Sequence, residues 1–180
     1  MMFERISDLR VVRGFGVCVL FEENGGGVVR SADGFDVRLT EREAAILEAL
    51  IEVAPVRLPG DNGWMPEDGQ PVKKATVLGA SQGGTRAYES LCGKLPGLID
   101  SKPGRAVGGV RLNSFVLGYR EDGSLVVPGP WRERAENGDE AAAATIENLN
   151  RWAQECEEIA ELREERRRLE LRIEDEALGL

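Results

Sequence analysis

The sequence predicts an α+β fold in which a small N-terminal antiparallel sheet precedes a helix-turn-helix segment and a long C-terminal α-helix. Three observations lead to this prediction. Short apolar stretches near the N-terminus are separated by Asn-Gly and Asp-Gly turns, two helical patterns in the middle are joined by a glycine-containing turn, and no glycine or proline occurs from Asp139 to Leu178. With 180 residues, of which 42% are apolar, one core with an appendage is expected.

The first element is a set of short strands. Asn24-Gly25 and Asp33-Gly34 supply the residues that adopt positive φ in tight hairpins. Phe35, Val37 and Leu39 alternate with polar residues, which is the pattern of a strand with one solvent-exposed face. A small antiparallel sheet should therefore open the domain.

A helix follows the sheet. Thr40 and Glu43 form a capping-box pattern, and apolar residues then recur at helical spacing until Pro55. This periodicity is typical of a core helix. The next segment, residues 57–70, is rich in proline and glycine and predicts an irregular loop. Its Trp64 either folds the loop back onto the core or contacts a partner protein.

The helix-turn-helix prediction covers residues 71–95. A short helix should begin near Pro71, SQGG should form the turn, and a second helix should run from Thr85 to Leu95. A hairpin is expected next, with Val110 and Leu112 pairing with alternate residues from Phe115 onward across an Asn113-Ser114 turn. The SLVVPG segment that follows is expected to add an edge strand.

The proline and glycine residues at positions 128–130 indicate a domain boundary. We therefore divide the chain into a domain at residues 1–127, a linker at 128–139 and a long helix at 140–180. An interrupted heptad pattern runs along this helix and favours a self-associating coiled coil, while docking of the stripe on the domain or on another protein remains the alternative. The predicted oligomerisation residues are Leu149, Trp152, Cys156, Ile159, Leu162, Leu169 and Ile173.

The composition argues against an enzyme. The chain has no histidine, which removes the commonest general base and metal ligand, and its three cysteines are far apart and form no CxxC motif. We therefore expect no catalytic residues, no metal and no cofactor. The N-terminal sequence lacks the apolar core of a signal peptide and the chain contains no long apolar run, so a cytoplasmic protein without membrane contact is expected.

Charge is distributed unevenly. The net charge is −9, and the residues from Arg132 onward contain 8 basic and 15 acidic side chains. Between Gly83 and Arg120 the sign reverses, with six basic residues and only Glu89 and Asp100 against them. If the protein binds a polyanion, it should bind there.

The order of these elements resembles the winged-helix DNA-binding domain of OmpR/PhoB-type response regulators. The resemblance covers residues 17–121 and depends on Leu39-Thr40 with Glu43, on Leu91 and Lys94-Leu95, and on Gly118-Tyr119. It implies a winged helix-turn-helix fold in which Thr85 to Leu95 enters the major groove and Val107 to Arg120 forms the wing. The sequence differs in having Cys92 where the family usually has arginine, and it contains no receiver domain.

Two functions agree with this sequence. The first is a transcriptional regulator that binds double-stranded DNA and dimerises through its C-terminal helix. The second is a non-catalytic adaptor in a larger nucleic-acid-processing, defence or phage complex, with a protein partner at the long helix or the Trp64 loop. The residues predicted to contact DNA are Arg86, Ser90, Lys94, Lys102, Arg105, Arg111 and Asn113.

Overall fold

A computed structural model of the chain describes residues 15–30, 36–53, 73–79, 84–100, 109–112 and 115–179. The strands are β1 (Phe15–Phe21), β2 (Gly27–Arg30), β3 (Val37–Leu39), β4 (Ile99–Asp100), β5 (Arg111–Leu112), β6 (Phe115–Arg120) and β7 (Leu125–Val126). The helices are α1 (Glu41–Val53), α2 (Lys74–Gly79), α3 (Gly84–Lys94), α4 (Gly129–Glu136) and α5 (Glu140–Leu178). The α+β class and the long C-terminal helix are confirmed.

The main sheet has five strands in the order β3-β2-β1-β6-β7. The first three strands are antiparallel neighbours, as the turn residues predict. However, β6 pairs with β1 in parallel, and β7 pairs with β6 in antiparallel orientation. The predicted N-terminal sheet therefore forms three of the five strands of a mixed sheet. The other two strands, β6 and β7, come from residues about one hundred positions later in the chain.

Helices cover both faces of this sheet. Along β1, Val19 and Phe21 belong to the core on the side of α1, whereas Cys18 and Leu20 belong to the core on the side of α5. All four side chains are buried. A strand buried on both faces has an almost continuous apolar sequence, which explains why VCVLF shows no alternation.

Helix α1 begins as the sequence predicts. The Thr40 amide donates to Glu43 Oε2 at 2.8 Å, and the Glu43 amide donates to Thr40 Oγ1 at 3.4 Å, which completes the capping box. Ile46, Leu47 and Leu50 are almost fully buried and place this helix against the sheet. Helices α2 and α3 then pack on α1 through Val77, Tyr88 and Leu91, among other residues.

The predicted hairpin around Asn113-Ser114 is wrong. Strand β5 pairs with β4, with Leu112 opposite Ile99 and Arg111 opposite Asp100. Strand β6 instead enters the main sheet between β1 and β7. The antiparallel pair that follows α3 is thus closed by residues 101–110, rather than by Asn113-Ser114. Most of that connection lies outside the described residues, as do Asn113 and the 57–70 loop.

The predicted linker at 128–139 contains a helix, and the first half of the long helix follows the alternative in which it docks on the domain. Residues 129–136 form α4, and its Trp131 is 3% exposed. Helix α5 begins at an Asp139 cap whose side chain accepts from the Ala142 amide at 3.1 Å. The first half of α5 packs on the second face of the sheet, so the folded unit extends to about Ile159.

None of the described helices combines the length and the apolar character needed to cross a membrane.

Candidate nucleic-acid interface and self-association surface

Helix α3 presents one face to the core and another to solvent. Tyr88 and Leu91 are buried against α1, while Arg86, Glu89 and Ser90 are exposed. The Lys74 ammonium of α2 lies 4.3 Å from the centre of the Tyr88 ring and joins the two helices by a cation–π contact. The exposed face of α3 therefore carries Arg86 as its cation near the N-terminal end.

Two of the predicted DNA contacts on α3 are instead bound to a carboxylate. Ser90 Oγ donates to Glu43 Oε1 at 2.5 Å, and Lys94 Nζ donates to Glu43 Oε2 at 2.7 Å. Lys94 also donates to the Arg38 carbonyl at 3.0 Å. The Glu43 side chain is only 3% exposed, so its negative charge is balanced inside the protein.

These bonds control the ionisation of Glu43. Burial alone would raise the pKa of Glu43, but the bonds from Lys94, Ser90 and Thr40 outweigh burial and hold the pKa below its ordinary value of 4.5. The carboxylate is charged at neutral pH and ties α3 to the start of α1. The sequence indicates only the cap, because Ser90 and Lys94 lie 47 and 51 residues away and no local pattern connects them to Glu43.

The strand pair after α3 is also partly neutralised. Arg111 Nε donates to Asp100 Oδ2 at 3.2 Å across the β4–β5 ladder. Arg120 of β6 pairs with Glu48 of α1. Lys102 and Arg105, which lie in the connection between β4 and β5, are outside the described residues. The basic candidates without a described carboxylate partner are therefore Arg86, Lys102 and Arg105.

The predicted oligomerisation stripe on α5 is buried in the first half of the helix and exposed in the second half. Leu149 and Cys156 are at most 2% exposed and pack in the core between α5 and the sheet, and the half-buried Trp152 packs against the same core. Ile159 is 3% exposed. The prediction that Leu149, Cys156 and Ile159 contact a second chain is therefore wrong, because these side chains are buried within their own chain. By contrast, Leu162, Leu169 and Ile173 are 38%, 50% and 66% exposed.

A charged cluster joins α5 to the sheet. Arg30 Nη2 contacts Glu157 Oε1 at 2.8 Å, and Tyr119 Oη donates to the same oxygen at 2.5 Å. Arg30 Nη1 also pairs with Asp36 at 2.8 Å. Burial and the adjacent Glu157 carboxylate raise the pKa of Tyr119, so its hydroxyl stays protonated.

Two buried thiols meet in the same layer. Cys18 Sγ of β1 and Cys156 Sγ of α5 are 3.3 Å apart, within hydrogen-bond distance for sulfur. Neither cysteine forms a disulfide bond, and both are buried. The sequence spacing of 138 residues gives no sign of this contact, since neither cysteine belongs to a metal or redox motif.

No protein-family model matches the chain, and neither a curated protein nor a solved structure matches it.

Proposed function

We propose that the protein binds double-stranded DNA through the exposed face of α3 and the connection between β4 and β5, and that it acts as a regulator that self-associates through the distal part of α5. The observation that carries this proposal is the antiparallel β4–β5 pair directly after α3. A three-helix unit followed by such a pair is the arrangement in which winged helices place one helix in the major groove and a basic wing beside it.

The positions of the charges support a small electrostatic footprint. Lys94 and Arg111 are neutralised by carboxylates of their own chain, which leaves Arg86, Lys102 and Arg105 as the proposed phosphate contacts. Three contacts per protomer give a slope of about −3 in a plot of log K against log salt concentration. A slope of about −5 would require Lys94 and Arg111 to leave their partners.

The test is fluorescence anisotropy with a labelled mixed-sequence duplex, titrated with the full chain from about 25 to 200 mM KCl. The triple variant Arg86→Ala, Lys102→Ala and Arg105→Ala should weaken binding more than about tenfold at low salt. The control removes the same charge from the exposed residues Arg132, Arg151 and Arg168 of α4 and α5, and it should bind like the wild type. No binding by the wild type at the lowest salt concentration, or equal losses in both variants, would contradict the proposal.

The second candidate function is a non-catalytic adaptor. It is favoured by the bonds that Ser90, Lys94 and Arg111 make to carboxylates of their own chain, because these bonds engage three of the four described residues predicted to contact DNA. An adaptor predicts that the wild type shows no salt-dependent binding to the duplex. It also predicts that the Arg86, Lys102 and Arg105 triple variant captures the same protein partner as the wild type in a pull-down.

A further inference from the structure

We propose that the distal part of α5, residues 162–173, pairs with the same segment of a second copy of this chain in antiparallel orientation. This inference rests on the self-association part of the proposed function, and it does not depend on DNA binding. The surface consists of Leu162, Leu169 and Ile173 with Arg166 between them, spaced by three and four residues along one side of the helix. We call this the distal stripe.

The distal stripe and the domain occupy different sides of α5. The buried residues of α5 are Ala142, Thr145, Leu149, Ala153, Cys156 and Ile159. At about 100° per residue, the distal stripe lies roughly 120° around the helix from this buried side. A partner helix can therefore contact the distal stripe without displacing the domain.

The charges beside the distal stripe specify the orientation of the partner. When Arg166 lies opposite Leu169 of a second antiparallel copy, Leu162 lies opposite Ile173. In this register Glu165 faces Arg172 of the other copy, and Arg163 faces Glu170. Each contact occurs twice because of the twofold axis, so four opposite-charge contacts flank the apolar contacts. No like charges face each other in this alignment.

Other alignments bring like charges together. Sliding the antiparallel pair by one heptad in one direction places Arg172 against Arg172 and Glu170 against Glu170. Sliding it in the other direction places Glu165 against Glu165 and Arg163 against Arg163. A parallel pair in register buries Arg166 against Arg166 and places Glu165 beside Glu170. The sequence of α5 thus favours one antiparallel register over the neighbouring registers and the parallel pair.

Reversing the charge at residue 165 distinguishes an antiparallel dimer from a parallel one. In the proposed dimer Glu165→Arg places arginine against Arg172 twice, and the dissociation constant should rise about tenfold. In a parallel dimer the same change brings the introduced arginine beside Glu170 of the other copy, again twice, and the dissociation constant should fall. The double variant Glu165→Arg with Arg172→Glu restores opposite charges in the antiparallel dimer and should return the constant close to the wild-type value.

The measurement is sedimentation equilibrium of the full chain in about 50 mM salt, with helix content checked by circular dichroism. The control is Glu174→Arg, which makes the same charge change at an exposed position of α5 on the side away from the distal stripe. It should leave the dissociation constant within about twofold of the wild type. A wild type that stays monomeric at about 100 μM, or tighter association of the Glu165→Arg variant, would overturn the inference. Because no DNA is present, neither result bears on the α3 interface.

Discussion

At the residue scale, Glu43 links the cap of α1 to α3. Its carboxylate accepts three hydrogen bonds, from the Thr40 amide, from Ser90 Oγ and from Lys94 Nζ. Its side chain is almost fully buried, so a neutral substitute leaves the Lys94 ammonium without its counter-charge. A residue that the sequence identifies as a helix cap therefore also fixes the orientation of the helix that we propose for DNA contact.

The Glu43→Gln variant should lower the free energy of unfolding by about 2 kcal/mol at pH 7. Because the folded pKa of Glu43 is below 4.5, its contribution is present above that pH and is lost as the pH falls through the folded pKa. The difference between variant and wild type should therefore shrink from about pH 7 to about pH 3.5 in urea denaturation. Glu52→Gln, at an exposed position of the same helix, is the control and should change stability by less than about 0.5 kcal/mol. Equal effects of the two variants would refute this role.

Cys18 and Cys156 should resist alkylation in the folded protein, because both thiols are buried and only 3.3 Å apart. Cys92 of α3 is partly exposed and should react first. Mass spectrometry of peptides after a short iodoacetamide treatment measures each site separately. In denaturant, Cys18 and Cys156 should be alkylated as fast as Cys92. Rapid native labelling of Cys156 would mean that α5 separates readily from β1.

At the element scale, close packing of α1 on the sheet depends on the absence of a side chain at residue 118. A Cβ at Gly118 would lie 2.9 Å from Phe21 Cε2 and 3.0 Å from Ile51 Cδ1. Gly118→Ala should therefore lower the free energy of unfolding by about 1–3 kcal/mol. Gly93 of α3 has no atoms near a built Cβ, so Gly93→Ala should stabilise the protein by up to about 1 kcal/mol. Thermal denaturation of both variants tests this pair, and a stabilising Gly118→Ala would show that α1 can move away.

The two halves of α5 should respond differently to truncation of a leucine. Leu149→Ala should cost about 2–5 kcal/mol in stability, because Leu149 is 2% exposed in the core between the sheet and α5. Leu169→Ala should leave the stability of a dilute sample nearly unchanged but weaken self-association, since Leu169 is 50% exposed. Urea denaturation at low concentration and sedimentation at high concentration separate these effects. If Leu169→Ala is as destabilising as Leu149→Ala in dilute solution, the distal stripe packs within its own chain.

Local patterns in the sequence predict the elements whose causes are local. The capping box at Thr40, the turn at Asn24-Gly25 and the continuity of α5 each depend on a few neighbouring residues. The pairing of β6 with β1 depends on contacts between residues about one hundred positions apart. Because only Asn113 and Ser114 separate β5 from β6, the sequence favours a local hairpin between these two strands instead. The bonds of Glu43 to Ser90 and Lys94 also join residues far apart in the sequence, so no local pattern predicts them. Of the candidate site, the sequence indicates which side chains lie outward on α3, but not which of them carboxylates neutralise.

At the scale of the whole molecule, the mixed sheet separates two hydrophobic cores, one on each of its faces. One face supports α1, α2 and α3, where the proposed DNA contacts lie, and the other face supports α4 and the first half of α5. The Arg30–Glu157–Tyr119 cluster fixes α5 to the sheet. The direction of the distal part of α5 is therefore set by the same sheet that positions α3, so the orientation of a dimer determines how two α3 helices are spaced.

This spacing gives a direct measurement of the dimer geometry. In the proposed register, residue 147 of one copy is separated from residue 147 of the other by roughly 60 Å along the helix axis, at about 1.5 Å per residue. A parallel pair in register would hold the same residues roughly 10–20 Å apart. Glu147 is exposed, so a spin label at Glu147→Cys with Cys92→Ser can report the distance by double electron–electron resonance. We expect a distribution near the longer distance that loses amplitude in the Glu165→Arg variant at the same protein concentration, because the dissociation constant of that variant is about tenfold higher. A short distance would put the two domains at the same end of the paired helices and would contradict the antiparallel orientation.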